Sequence, residues 1–360
     1  MSKDERKTGA LHRIASVGVG RIGLAHLKAL ADSCRWEVAY VCDLSPARLA
    51  LAGKIVPGAQ QVQSLDPILD DPTVEALSIT TLSDIRPGMI RRTVAAGKHV
   101  LCEKPLASTP QEARRLVEEL KGTSQLITCN LFNRNAPLLQ EAREHLRAGE
   151  IGELAVLRVS HCTPHLRSQS RLSDSHFAVE GHTLHDCGMH YVDLLRWFSA
   201  SDVGDYQAMA TRFWNQEYEL HFMVQGRMRS GVAFDLHNGF CYTTLSQTGR
   251  KWSMLEGIGT RGVITVRNEE GETRLELNGH RQMLKKQGPY GGKKLGIFYE
   301  AFADAVESGN LGNLPRIEDA AKASEIANAM VEQALRKPIP NFGRQSDLST
   351  LPLTADDQLH

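Results

Sequence analysis

"RIASVGVGRIGLAHLKAL", residues 13–30, contains a short β-rich run, a glycine turn and a helical repeat in that order. The apolar residues Ile22, Leu24, Leu27 and Leu30 fall at helical spacing after the turn. The turn itself is G-x-G-x-x-G, at Gly18, Gly20 and Gly23. In such a turn the first glycine permits the reversal and the second lets a pyrophosphate approach the backbone. The third lets the helix pack closely on the strand, and the first helical N–H groups, here those of Arg21, Ile22 and Gly23, face the phosphates. Glycine turns are common, so the flanking context decides. A second strand, "WEVAYVCD", follows the helix and ends in Asp43, 20 residues beyond Gly23. A carboxylate there accepts hydrogen bonds from the adenosine ribose hydroxyls.

Strand and helix then keep alternating. "SPARLALAGKI" (45–55) reads as a helix with Pro46 in its first turn, "VEALSITT" (74–81) as a strand, and "RPGMIRRTVAAG" (86–97) as a helix ending at Gly97. "KHVLCEKP" (98–105) is a further strand, "TPQEARRLVEELKG" (109–122) a capped helix, "QLITCN" (125–130) a strand and "NAPLLQEAREHLRAG" (135–149) a helix. This alternation predicts a doubly wound parallel sheet that binds a dinucleotide. Beyond it, "ELAVLRVSH" (153–161) and several later segments alternate polar and apolar residues, as antiparallel strands with one exposed face do.

Bulk composition excludes several classes of partner. Lys+Arg and Asp+Glu both number 42 in 360 residues, so no excess positive charge is available for nucleic acid or an anionic membrane. The charged start "MSKDERKTGALHR" lacks the apolar core of a signal peptide, and no apolar run approaches the ~20 residues of a membrane span. Seven scattered cysteines without a C-x-x-C pair fit free thiols in a reducing, cytoplasmic setting.

Residues 185–193, "HDCGMHYVD", hold two histidines, two aspartates and a cysteine. The apolar spacing of Met189, Val192, Leu194, Leu195, Trp197 and Phe198 places the stretch on a helix, where Asp186 and His190, four apart, share a face with Asp193 close by. A carboxylate and an imidazole on one face suit proton transfer, since an imidazole of ordinary pKa about 6.5 can take a hydroxyl proton. The aspartate would orient the imidazole or grip a second hydroxyl. Metal binding competes, because His161, Cys162, His165, His176, His182, His185, Cys187 and His190 are dense. Neither C-x-x-C nor H-E-x-x-H spacing occurs, so no metal is expected.

With "GVGRIG" and Asp43 upstream, "EKP" at 103–105, "RNAPLLQEAREHLRAGEIGEL" (134–154), "HDCGMHYVDLLRWF" (185–198) and "LPRIEDAAKASEIANAMVEQALRKP" (314–338), the chain resembles the Gfo/Idh/MocA oxidoreductase family over most of residues 13–340. The resemblance implies an α/β protein in two parts. The first is an N-terminal Rossmann dinucleotide-binding domain over residues 1–134, with a helix near 315–337 packing back on it. The second is a C-terminal α/β domain over 135–340 with an open, mainly antiparallel sheet, followed by a polar tail, 341–360. It further implies a homo-oligomer, dimer or tetramer, and nicotinamide-dependent chemistry at a carbon bearing a hydroxyl, with a sugar, inositol or related polyol as substrate.

Asp186 and His190 fit the family's D-x-x-x-H pair, and Lys104 its catalytic lysine. Cofactor contacts are then expected at Gly18, Gly20, Arg21, Ile22, Gly23, Asp43, Thr81, Glu103 and Lys104, and substrate contacts at Asn133, Arg134, Asp186 and His190. Apart from the motif Lys104 would read as an exposed lysine before a proline. At the carboxyl end of a parallel strand, though, its ammonium can hold a substrate oxygen and stabilise charge developing there. Asp43 repels a 2′-phosphate, and Leu44 adds no positive charge while Arg48 lies a helical turn further on. NAD is therefore expected over NADP.

Departures from the family concern the substrate side. The glycine run before Asp186 is "EGHT" (180–183), the T-P-x-x-x-H segment is "TLSDIR" (81–86), and the family's usual tryptophan and arginine positions are not recognisable in "PHLRSQSRLSDSHF" (164–177). "GPYGGKKLG" (288–296) lacks the strand–helix context of a phosphate loop and reads as a substrate-side loop. Two other readings stay open: a glycosidase-like enzyme using tightly held NAD for transient oxidation, and a cofactor-binding regulator without catalysis. Retention of Lys104, Asp186 and His190 argues against the regulator.

Overall fold

Ile14, Ala15, Ser16 and Val17 are all buried, as a strand covered on both faces requires. In the computed structural model, which describes residues 11–163, 182–240, 251–269, 271–289, 293–344 and 346, this strand is the centre of a parallel sheet. The chain forms two compact units, one within Met1–Asn135 and Lys293–Lys322, the other within Ala136–Gly292 and Ala323–His360.

The first unit alternates as β1 (His12–Val17), α1 (Arg21–Asp32), β2 (Trp36–Cys42), α2 (Pro46–Ile55), β3 (Gln60–Val62), α3 (Asp66–Asp70), β4 (Ala76–Ile79), α4 (Arg86–Ala95), β5 (His99–Cys102), α5 (Pro110–Glu119) and β6 (Ile127–Cys129). The order in this six-stranded sheet is β3-β2-β1-β4-β5-β6. The chain winds outward from β1 to β3, then crosses back to β4, so the order reverses between β1 and β4. Ligands of such sheets bind at that switch point, beyond the carboxyl ends of the strands.

Two helix segments return to this unit from far along the chain. A helix over Leu295–Ser308, unforeseen in the sequence, puts Phe298, Tyr299 and Phe302 into one core cluster with Ile14, Leu27 and Leu30. The Phe302 ring stacks on Trp36 at 5.5 Å, and the Trp36 indole N–H donates to the Tyr299 carbonyl at 2.9 Å. Ahead of the next helix, Ile317–Leu335, the Thr128 hydroxyl donates to the Pro315 carbonyl at 2.7 Å.

The second unit holds α6 (Pro137–Arg147), β7 (Leu154–Cys162), α7 (Met189–Ser199), β8 (Val203–Phe213), β9 (His221–Met228), β10 (Ala233–Gly239), β11 (Trp252–Gly259), β12 (Gly262–Glu269), β13 (Glu272–Asn278), β14 (Met283–Pro289) and β15 (Asn341–Phe342). Its nine-stranded sheet runs β14-β13-β12-β11-β7-β10-β9-β8-β15 and is antiparallel except at β7–β10 and β8–β15. The expected alternation is visible in β13, where Thr273, Leu275 and Leu277 are buried between more exposed neighbours. We number the returning helices α8 (Leu295–Ser308) and α9 (Ile317–Leu335). Gln333 of α9 brackets β8, accepting from the Ala208 N–H at 2.6 Å and donating to the Tyr206 carbonyl at 3.1 Å. Most of the expected polar tail lies outside the described residues. No helix among those described is long and apolar enough to cross a membrane.

If α8 is part of the first unit's core, Phe302→Ala costs that unit about 3–5 kcal/mol, as large-to-small changes at fully buried aromatics do. Urea unfolding followed by circular dichroism measures this, and a loss under about 1 kcal/mol would place α8 outside the core.

Candidate active site

The turn after β1 is built by backbone proximity. Gly18 has φ +83°, and a Cβ there would lie 2.9 Å from the Thr81 methyl. A Cβ on Gly23 would lie 1.9 Å from the Gly18 carbonyl oxygen, so only glycine lets α1 approach the strand this closely. A Cβ on Gly20 would meet nothing within 4 Å. The Thr80 hydroxyl donates to the Gly18 carbonyl and fastens the turn to the end of β4. No side chain caps α1 and no acidic residue occupies its first turn. The N–H groups of Arg21, Ile22 and Gly23 precede the first intrahelical bond they could make, and present positive dipole to an anion. These features fit a pyrophosphate.

Asp43 closes the same turn. Its Oδ2 accepts from the Val19 N–H at 2.9 Å and its Oδ1 from the Ser45 N–H at 2.9 Å. Each carboxylate oxygen has two acceptor positions, so capacity for ribose hydroxyls remains. The exposed Arg48 guanidinium reaches to 3.9 Å from Oδ2, nearer than its place in the sequence suggested.

Lys104 follows β5, and its N–H donates to the Glu103 carboxylate at 3.1 Å. Glu103 is 4% exposed, its carboxylate turned into the unit, where His26, Asn130 and Lys293 hold it. This makes Glu103 a support for Lys104, with its side chain occupied inside the protein. Thr81 follows β4, and its hydroxyl donates to the Met89 sulfur at 3.5 Å. Arg86, which stands in the chain-specific "TLSDIR", is buried and donates to the carbonyls of both Thr81 and Pro105. It straps the loop after β4 to the loop after β5. Asn133 and Arg134 occupy a 3-10 turn over Phe132–Asn135, both buried. The Arg134 guanidinium pairs with Asp319 of α9 at 3.0 Å, and Asn133 Nδ2 has no hydrogen-bond partner among the described residues.

In the second unit, "HDCGMHYVD" departs from a uniform α-helix. Leu184–Gly188 is a π-helical turn that leads into α7, so Asp186 lies on the turn and His190 in the first turn of α7. Such turns recur at functional sites because they re-aim side chains. Asp186, His190 and Asp193 are all buried. The Cys187 thiol contacts Asp186 Oδ2 at 3.7 Å. Beneath α7 the His161 ring stacks on Tyr191 at 4.5 Å, and His161 Nδ1 lies 3.2 Å from Asn238 Nδ2.

The start of the turn is clamped by a group the sequence did not single out. Fully buried Glu219 takes hydrogen bonds from Arg212 at 2.6 and 2.9 Å and pairs with His182 Nδ1. Burial opposes its charge, but the bonds from His182 and Arg212 hold its carboxyl below the usual range. The His182 carbonyl in turn accepts from the N–H groups of His185 at 2.8 Å and Asp186 at 3.2 Å. Burial first, and His182 second, push His185 down to about 4, so it is neutral at physiological pH. Among the described residues no three His, Cys, Asp or Glu side chains converge to hold a metal. His165, His176 and Glu180 lie outside them.

Residues 12–131 match the oxidoreductase family with an NAD-binding Rossmann fold, Gfo/Idh/MocA, and residues 139–265 match the Gfo/Idh/MocA C-terminal domain. A 1,5-anhydro-D-fructose reductase of Ensifer adhaerens is 30% identical over 233 residues, 61% of this chain and 69% of its own. An inositol 2-dehydrogenase of Acidothermus cellulolyticus is 27% identical over 268 residues, 72% of this chain and 73% of its own. The crystal structure of a myo-inositol 2-dehydrogenase from Lactobacillus plantarum has the same fold, with a TM-score of 0.75, 21% identity, and coverage of 91% of this chain and 98% of that one. The chain is a member of the Gfo/Idh/MocA oxidoreductase family, an NAD(P)-binding Rossmann domain joined to that family's C-terminal domain.

Proposed function

We propose that the protein is an NAD-dependent dehydrogenase or reductase of a sugar, inositol or related polyol, acting at a secondary hydroxyl carbon. One observation carries the reading: the adjacent strands β2, β1, β4 and β5 deliver Asp43, the Gly18–Gly23 turn, Thr81 and Lys104 at the same edge of the sheet. That edge is the switch-point crevice of a doubly wound fold.

The bound nicotinamide supplies a hydride acceptor or donor. The chain's own residues deal with the proton and the charge. His190 takes the hydroxyl proton as the carbonyl forms, and returns it in reduction. Asp186 orients that imidazole or grips a neighbouring substrate hydroxyl. Lys104 holds the same oxygen and stabilises the negative charge that builds on it. Arg86 and Glu103 keep the loops carrying Thr81 and Lys104 in place. Free thiols suit a cytoplasmic enzyme, and the open sheet of the second unit offers a face for self-association. A dehydrogenase screen over cyclitols, pyranoses and sugar acids tests the reading; no turnover of free NAD with any of them would count against it.

Asp43 decides the cofactor. Its charge opposes a 2′-phosphate, and Arg48, whose exposed guanidinium stays hydrated 3.9 Å from the nearly buried carboxylate, offsets only part of this. Asp43→Ser weakens NAD binding and relaxes the preference. Tighter binding of NADP than of NAD by the unmodified protein in a fluorescence titration would overturn this assignment.

Turnover requires no added metal. Metal analysis after dialysis against chelator checks this, and stoichiometric zinc whose removal abolishes turnover would contradict it. His190→Ala lowers kcat by about 10²–10⁴, the usual contribution of a positioned acid–base group, with cofactor affinity almost unchanged. Lys104→Met lowers it at least as much. The double variant is far less impaired than the product of the single losses, because both residues serve one proton-transfer event. Near wild-type turnover by His190→Ala would sink the mechanism, and strictly multiplicative losses would mean that the two act separately.

A further inference from the structure

We propose that Lys293 is a positioning residue for Lys104, acting through the buried carboxylate of Glu103. The inference rests on the catalytic reading of Lys104. Lys293 lies in "GPYGGKKLG" (288–296), read from the sequence as a substrate-side loop, of which Tyr290, Gly291 and Gly292 lie outside the described residues.

Glu103 is an acceptor-only group in the interior and gathers donors from four places. His26 Nε2 of α1 lies 3.0 Å from Oε1, Asn130 Nδ2 donates at 2.8 Å, and Lys293 Nζ at 3.2 Å. The other oxygen takes the Lys104 backbone N–H. Beyond His26 the chain of hydrogen bonds continues, His26 Nδ1 to Tyr299 hydroxyl at 2.8 Å and Tyr299 hydroxyl to Ser78 Oγ at 2.6 Å. Burial pushes the Tyr299 phenol up, so it keeps its proton. Tyr299 thereby ties the His26 ring to Ser78 of β4, while Nε2 of the same ring reaches Glu103.

Neutral hydrogen-bond donors orient a buried carboxylate without balancing its charge. A buried carboxylate left without a cation is strongly destabilising. The titratable groups facing Glu103 are Lys293, His26, Tyr299, Lys104 and Cys129, whose thiol a hydrogen bond with Cys102 and burial keep protonated. Burial would raise the Glu103 carboxyl, but Lys293, then His26, then Lys104 outweigh it and hold it well below the usual carboxylate range. Lys293 is 31% exposed on its side chain and tethered next to α8. With its ammonium as the counter-charge, that of Lys104 is not required to neutralise Glu103. Removing Lys293 would recruit Lys104 inward as counterion, and would let Glu103 protonate at higher pH and release the Lys104 backbone.

The test compares Lys293→Met, Lys293→Arg and Lys104→Met, using whichever alcohol the substrate screen identifies. Melting temperature and NADH binding by fluorescence confirm folding, and Lys293→Gln replaces the methionine variant if that one does not fold. Lys293→Met is expected to lose about tenfold to a hundredfold in kcat, the scale of a misplaced catalytic group, with NADH affinity within about twofold of wild type. Lys293→Arg restores kcat. In the apoprotein, acylation of the Lys104 amine by acetic anhydride, read by peptide mass spectrometry, slows several-fold in Lys293→Met. Unchanged kcat and acylation in Lys293→Met, with Lys104→Met inactive, overturn this inference alone. Wild-type turnover by Lys104→Met overturns it together with the catalytic reading.

Discussion

A carboxylate buried at the end of a central strand must be compensated, and in this protein the compensation organises the first unit. Glu103 draws on α1 through His26, on the segment after β6 through Asn130, and on the start of α8 through Lys293. Taking an ion out of water costs several kcal/mol even after relaxation, so losing any of these partners leaves an exposed deficit in the interior. The same carboxylate receives the backbone N–H of Lys104. A structural requirement and the placement of the proposed catalytic lysine are thus met by one group.

The cofactor turn follows a different logic, that of backbone contact. Gly18 and Gly23 sit too near each other and the β4 end for side chains, while Gly20 opens outward. Thr80 and Asp43 fix the turn from either side. Rigidity on the inner side of the turn and access on its outer side are what phosphate binding through backbone amides needs. Arg86 extends the same rigidity across the sheet by joining the loops after β4 and β5.

The parallel sheet, the glycine turn and Asp43 were legible in the sequence because their signals are local. Strand, turn and helix follow one another within residues 13–43. The mainly antiparallel second sheet was legible from alternation. Glu103 was legible only as part of a motif: its partner Lys293 lies 190 residues away, and His26 sits 77 residues before it on what looked like an ordinary amphipathic helix. Helix α8 follows a glycine-rich segment that obscures its start, although Phe298, Phe302 and Ala305 repeat at helical spacing. The π-helical turn at Leu184–Gly188 leaves no mark in the sequence, because one widened turn barely disturbs the 3.6-residue apolar period around it. Glu219 read as one polar position in an alternating strand, and nothing local distinguishes a carboxylate that is fully buried beside a histidine and an arginine from one facing water.

The proposed activity is net transfer of hydride from a carbinol carbon to a freely exchanging nicotinamide. An active polyol carrying deuterium on its reacting carbon, incubated with NAD, reports that transfer. Mass spectrometry of cofactor and product follows the label. The predicted result is stoichiometric deuterium in NADH released to solution, with a ketone as product. Deuterium returned to the product without free NADH, or lost to solvent, would contradict it.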